Sequence, residues 1–527
     1  MEGNELIDFL KNQLQSQKEQ NEFLQKTVSS LNENIQVQTE TIARLTEEIA
    51  ELKEKLNKDS HNSSKPPSSD GYKKPKTKSL RQKSDRNAGG QKGHKAANLP
   101  APRKVDEIER HYPEKCQGCP CFEKCRGTVC VQAEKRYAVD VIIKTKVTEH
   151  RVYRMNACAM HGGMSRGKFP EGINAFIQYG QNLTSLIVNL SMDGLSADHI
   201  HKIIGSMFGI PLSAGTVLNK IEKCASGITP VIERIKERLV KSPVLHFDET
   251  GCRVNGKTKW VHSSSSRKFT YLSVHEKRGK EGMDDNGIIP LFRGIAVHDC
   301  WKAYWRYPEI RHGICGVHIL RELAGIIENY PGQEWAVLFR NMLQELYRLK
   351  KAYAGCGRRR LDRCYLDYYS LKYDEFLEQA ERENPVPAVT GIKRGRRKKG
   401  RVLALAARLK EYKDSLLLFA ENFEVPFSNN LAEQTIRNLK SKGKVAGCFR
   451  SDDGARWYLK IRSYIDSARK HGVNAFEAIR LAFTGSPETW IVSIFVRNFI
   501  EKSHANQAVC CSLSHSIFCS RSISGLM

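Results

Sequence analysis

Residues 242–279 read SPVLHFDETGCRVNGKTKWVHSSSSRKFTYLSVHEKRG. Val244 to Asp248 is a short apolar run that stops on a carboxylate. Lys259 to Ser263 and Phe269 to Val274 read as its hairpin partners, with the β-branched and aromatic residues that suit a pleated surface. Further on, GIAVHDCWKAYW (294–305) supplies another buried run, Gly294 to Val297, leading to Asp299. HGICGVHILREL (312–323) reads as a fifth strand running into a helix.

Three antiparallel strands followed by strand–helix units is the order of an RNase H-like sheet. Two neighbouring strands would then carry Asp248 and Asp299 to one edge, and a third acid must come from elsewhere. Glu433 is the candidate, in VPFSNNLAEQTIRNLKSKGKVAGCFRS (425–451). Pro426 stops any helix from upstream, and Ser428, Asn429 or Asn430 can cap a new one over Leu431 to Leu439. Asn430, Glu433 and Arg437 then share a face. On its own this describes a solvated Glu–Arg pair worth a few tenths of a kcal/mol. Three carboxylates together suit different chemistry. Paired Mg²⁺ (or Mn²⁺) ions want oxygen ligands and stabilise both the attacking and the leaving oxygen of a phosphoryl transfer. Alternatives stay open at this level: Asp248 caps a turn, Glu249 is the ligand, or Asp299 caps the helix of CWKAYW.

The composition narrows the partner. The 527 residues carry a net charge of +27, an excess that points to a polyanion, most often nucleic acid, with double-stranded DNA the expected partner and an anionic membrane surface the weaker alternative. MEGNELIDFLKNQ is too polar for a signal peptide, and WIVSIFVRNFI (490–500) is too short for a membrane span and contains Arg497. The expectation is a cytoplasmic protein associated with nucleic acid and with no membrane partner. Sixteen cysteines without an export signal argue for thiols or metal and against a disulfide framework.

The chain reads as a multidomain α+β protein. Residues 1–57 keep an apolar seam from Ile7 to Leu56 in steps of three and four, the pattern of a coiled coil, and Asn21 at a seam position favours two strands. A homo-oligomer is expected. Residues 58–105 are basic, rich in Ser, Pro and Gly, and read as a flexible linker. In 106–170, Cys116-x-x-Cys119 and Cys158-x-x-His161 flank a strand-like stretch and form two half-sites for structural zinc, with Cys121, Cys125 and Cys130 as substitutes. Within 171–228, two helices break at Gly209-Ile210-Pro211, and Ser213 caps the second, as in a helix-turn-helix DNA-binding region. Ser213, Thr216 and Lys220 would face a groove. Residues 229–485 read as the α/β domain that carries the acids, and 486–527, which has no clear period, reads as a tail expected to be disordered. Cys315-x-x-His318 has half-zinc spacing, but no matching pair lies near it in sequence, so it is set aside.

Taken together, NSSKPPSSD, the Cys/His pairs, HFDETG, HDCWKAYW, CGVHILREL and NNLAEQTIRNLKSKGKVAGCFRS resemble bacterial transposases of the insertion sequence 66 family. The resemblance spans roughly 55–485. It implies an RNase H-like DDE catalytic domain with Asp248, Asp299 and Glu433 as the metal-binding acids, interrupted by a helical insertion at about 328–423. It implies strand cleavage and transfer at the ends of an insertion sequence, and accessory proteins of the same element as possible partners. His318, Arg321, Arg437 and Lys440 would contact DNA phosphates. Gln434 departs from the family, which more often has a basic residue there. Other functions compatible with the same features are a zinc-containing DNA-binding regulator without catalysis and a metal-dependent nuclease.

Overall fold

The computed structural model describes residues 2–57, 62, 101–116, 118–128, 134–156, 160, 164–385 and 400–491. Two compact units divide the chain. The larger takes 1–77, 176–202 and 212–527, and the smaller takes 78–175 and 203–211. Among the described residues, no helix is long and apolar enough to cross a membrane.

The first helix, α1 (Glu2–Asn57), is unbroken, and its apolar seam lies open to solvent in the single chain. In the smaller unit, Cys116 closes a short turn whose Cys119 N–H returns to the Cys116 carbonyl at 3.3 Å, and α2 (Phe122–Thr128) follows. The stretch after it departs from expectation. Residues 135–153 form no strand, and only β1 (Arg154–Met155) and β2 (Ser165–Arg166) pair. Val141, Ile142 and Val147 of that stretch are exposed. A strand needs a neighbour for its N–H and C=O groups and a core for its apolar face; no described residue from 101 to 170 is buried.

Four helices precede the sheet: α3 (Gln181–Met192), α4 (Ala197–Phe208), α5 (Ala214–Gly227) and α6 (Thr229–Val240). The Ser213 hydroxyl accepts the Thr216 N–H at 3.0 Å and so caps α5, as the sequence predicts. Val217, Ile221 and Cys224 turn the other side of α5 into the core.

The sheet comprises β3 (Val244–Val254), β4 (Lys257–Ser265), β5 (Thr270–His275), β6 (Ile295–His298) and β7 (Arg311–Ile314), with α7 (Lys280–Asn286) between β5 and β6. Its order is β5-β4-β3-β6-β7. The first three strands are antiparallel, and β6 and β7 run parallel to β3. Asp248 does not end its strand as expected. β3 continues to Val254 against β4, and what ends near Asp248 is only the pairing to β6, which covers Val244 to His246.

After β7, α8 (Gly316–Asn329), α9 (Glu334–Gly355), α10 (Arg363–Glu383), α11 (Arg401–Glu411) and α12 (Lys413–Glu421) pack around Trp335, Phe339, Tyr373 and Phe419. The basic run at 393–399 lies outside the described residues. The chain returns to the sheet through α13 (Asn430–Ala446), then α14 (Asp452–Lys470) and α15 (Ala475–Phe483).

Two tethers fix the periphery. The edge strand β5 donates the Thr270 and Leu272 N–H groups to the hydroxyls of Ser467 and Ser463 on α14, both at 2.9 Å. An exposed edge would otherwise invite pairing with another chain. At the foot of α1, Asn62 is buried, donates to the Asn57 carbonyl at 2.9 Å and to Glu328 at 3.1 Å, and sits where a side chain on Gly325 would be. Of the expected linker 58–105, this residue is therefore docked and not solvated; residues 63–100 lie outside the described ones.

Candidate active site

The parallel register of β3 and β6 decides the geometry. Val244, Leu245 and His246 stand beside Ile295, Ala296 and Val297. Continued two residues further, the same register sets Asp248 beside Asp299. Burial, Asp299 and Glu433 push the Asp248 carboxyl up to about 7. Asp248 therefore feels both other acids, and the cations nearest the set are His318, Arg437 and Lys440. Asp248 accepts the Glu249 N–H at 2.9 Å, and Asp299 accepts the Trp301 N–H at 3.1 Å. Each keeps further carboxylate lone pairs.

Neighbouring residues on a strand point to opposite faces, which separates Asp248 from Glu249. Glu249 is buried, accepts the Tyr304 hydroxyl and pairs with Arg278 at 3.4 Å. Burial and the nearby Asp299 push its carboxyl up to about 8. Arg278 in turn lies over Trp301, 4.2 Å from the ring centre, and over Trp260 at 5.2 Å. Both Glu249 oxygens thus have side-chain partners, whereas Asp248 and Asp299 accept backbone N–H groups.

Glu433 reaches the sheet because of Asn429. By position Asn429 is the cap of α13, yet its side chain makes no capping bond. Instead its amide donates to the Phe247 carbonyl at 2.7 Å, its Oδ1 meets His246 Nδ1 at 2.9 Å, and its backbone N–H donates to Cys315 Sγ at 3.2 Å. Gly316 adds a bond from its N–H to the Phe427 carbonyl at 2.8 Å. The start of α13 is thereby laced to β3 and to the start of α8. In the sequence Asn429 reads as a possible cap and as part of the NNLAE segment that carries the resemblance, and nothing local shows its ties to β3 and α8.

The remaining predicted residues distribute as follows. His318 lies in the first turn of α8 near Asp299 and Glu433; burial alone would lower its pKa, but Cys315, Asp299 and Glu433 outweigh it and hold the imidazole up at about 9. Arg321 is half-buried one turn along. Arg437 is exposed and pairs with Glu433 at 3.6 Å. Lys440 is partly buried, which lowers its pKa, and feels the charge of Asp248. It lines a cleft of about 440 Å³ with Arg253, Lys442 and Lys444. Lys442 is engaged over the rings of Tyr458 and Phe449. Ser213 and Thr216 share their capping bond, and Lys220 lies 5.5 Å from the centre of the Tyr179 ring. Of the zinc candidates, Cys116 and Cys119 are free thiols, while Cys158 and His161 lie outside the described residues.

The sequence profile described as the transposase IS66 family matches residues 177–457, from before α3 to within α14. The chain belongs to that family. The match takes in β3, β6 and α13, and so all three acids. A second profile, of a family of unknown function, matches residues 12–100. No curated protein matches the chain. As a member of a transposase family, the protein has a transposase role and acts on DNA.

Proposed function

We propose that this family member is a DDE transposase that binds the ends of an insertion sequence and catalyses metal-dependent strand cleavage and strand transfer. The observation that carries the reading is the β3–β6 register, which sets Asp248 beside Asp299 while the charge of Glu433 bears on Asp248. The sheet order and its three-antiparallel, two-parallel pattern support an RNase H-like catalytic domain. Helices α9 to α12, between β7 and α13, fit the helical insertion.

The three carboxylates fit Mg²⁺ or Mn²⁺: they are oxygen donors, mutually repelling and only partly satisfied. Asp248, Asp299 and Glu433 would hold the ions, which when bound would stabilise the attacking and leaving oxygens of phosphoryl transfer. The protein's own part is positional. Asn429 fixes the approach of Glu433, and Arg437, Lys440 and the cationic cleft hold phosphates. The attacking groups would be water for cleavage and a DNA 3′-hydroxyl for transfer. The smaller unit would bind zinc through Cys116, Cys119, Cys158 and His161, α4 and α5 would supply a helix-turn-helix contact to the ends, and α1 would pair chains.

The test is incubation of the protein with a duplex carrying the element's terminal repeat, with and without Mg²⁺. Nicks that leave 3′-hydroxyls and then join to target DNA would support a transposase. Cleavage without joining would favour a nuclease, and binding without cleavage a regulator.

A further inference from the structure

Cys315, His318 and Glu433 bring a thiol sulfur, an imidazole nitrogen and a carboxylate oxygen within 4.8 Å of one another. The fold assembles this group from two sides. Cys315 precedes α8 and anchors its backbone N–H on the His298 carbonyl at 2.9 Å, and His318 follows in the first turn. Glu433 arrives on α13, whose leading residue, Asn429, donates to Cys315 Sγ.

One atom of the group is left without a partner. The His318 Nδ1 atom is buried without a hydrogen-bond partner among the described residues. The ion pair of Glu433 is with Arg437 at 3.6 Å, on the outer side of α13. Leaving a buried polar atom unpaired is costly, and a ligand at that point would recover the loss. A sulfur, a nitrogen and an oxygen donor together suit Zn²⁺ and its late first-row neighbours; Mg²⁺ prefers oxygen alone. Tetrahedral bonds of about 2.0–2.3 Å set donors roughly 3.3–3.8 Å apart. Side-chain rotation can close the present spacing to that.

We propose that Cys315, His318 and Glu433 form a three-ligand site for a zinc-class divalent ion, beside the Asp248–Asp299 pair and with a fourth position open. The site is separate from the Cys116 half-site, and it shares Glu433 with the proposed catalytic set. Its third ligand comes from α13, which is why Cys315-x-x-His318 looked unmatched in sequence.

Co²⁺ is the probe, added to the full chain and followed by equilibrium dialysis and by thiolate-to-cobalt absorption. Relative to the parent, Cys315→Ser, His318→Gln and Glu433→Gln should each lose about one bound cobalt. Cys315→Ser should also lose part of the thiolate absorption, while Cys356→Ser, at an exposed cysteine elsewhere, should lose neither. Circular dichroism shows which variants fold; His318→Gln keeps the test open if Cys315→Ser does not. Folded Cys315→Ser or His318→Gln protein with the parent's cobalt content and spectrum would overturn the site. Glu433→Gln that abolishes cleavage but leaves cobalt binding intact would overturn it too, with the transposase reading untouched.

Discussion

Asn429 does more for the site than any charged residue near it. Its side chain ties α13 to the backbone of Phe247 and the ring of His246, one and two residues before Asp248. Asn429→Ala leaves the Phe247 carbonyl and the His246 ring without that partner, and should cost about 2–4 kcal/mol in urea unfolding. Cleavage should fall further than end binding, because Glu433 loses its register against Asp248. An unchanged urea midpoint would show that α13 is held by other means. Arg437 belongs to the opposite class. It is exposed, and its pair with Glu433 is worth at most about 1 kcal/mol. Arg437→Ala should leave stability alone, weaken DNA binding, and lower the salt slope of that binding by about 1. A slope equal to the parent's would remove Arg437 from the phosphate contacts.

At the scale of elements, α14 guards the sheet edge through Ser463, Ser467 and Lys470. The Lys470 amino group donates to the carbonyls of Ser266 and Phe269 at 2.8 and 2.9 Å. Burial pulls its pKa down to about 8, below the ordinary 10.5. Between those values the unfolded chain binds the proton and the folded chain does not, so stability contributed by this group rises with pH. The stability of the parent minus that of Lys470→Met should therefore climb between about pH 8 and pH 10, measured by urea titration; a flat or falling difference would contradict the burial. The strands that α14 guards were legible in sequence, because β3 to β7 carry apolar runs between clear breaks and Asp299 stands just past the end of one. The reach of β3 beyond Asp248 was not: GCRV reads as polar, and only pairing with β4 keeps it extended. The tie through Asn429 and the gathering of Cys315 with Glu433 were also hidden. Each joins segments far apart in the chain, and local spacing carries no trace of such contacts. Residues 135–153 erred the other way, with a strand-like alternation that found no partner strand.

At the scale of the molecule, α1 stands out. Leu24, Ile35 and Ile42 of its seam are 57%, 59% and 65% exposed in a single chain, and a sustained seam of this kind is stable when paired with another helix. Removing residues 1–57 should lower the mass measured by light scattering to that of a smaller assembly; an unchanged number of chains would place the oligomer contact elsewhere. The net charge of +27 supports DNA binding by the rest of the chain with or without that pairing. The central claim is that Asp248, Asp299 and Glu433 act as one metal-holding set. Its most direct test is Mg²⁺-dependent cleavage of a terminal-repeat duplex by Glu433→Gln, measured beside end binding at fixed salt. The substitution keeps size and helix but removes a charge. The account predicts that cleavage is abolished while binding is kept, with Asp248→Asn and Asp299→Asn behaving alike and their combinations no worse than each alone. Near-normal cleavage by Glu433→Gln would contradict it and return Glu433 to a surface ion pair with Arg437.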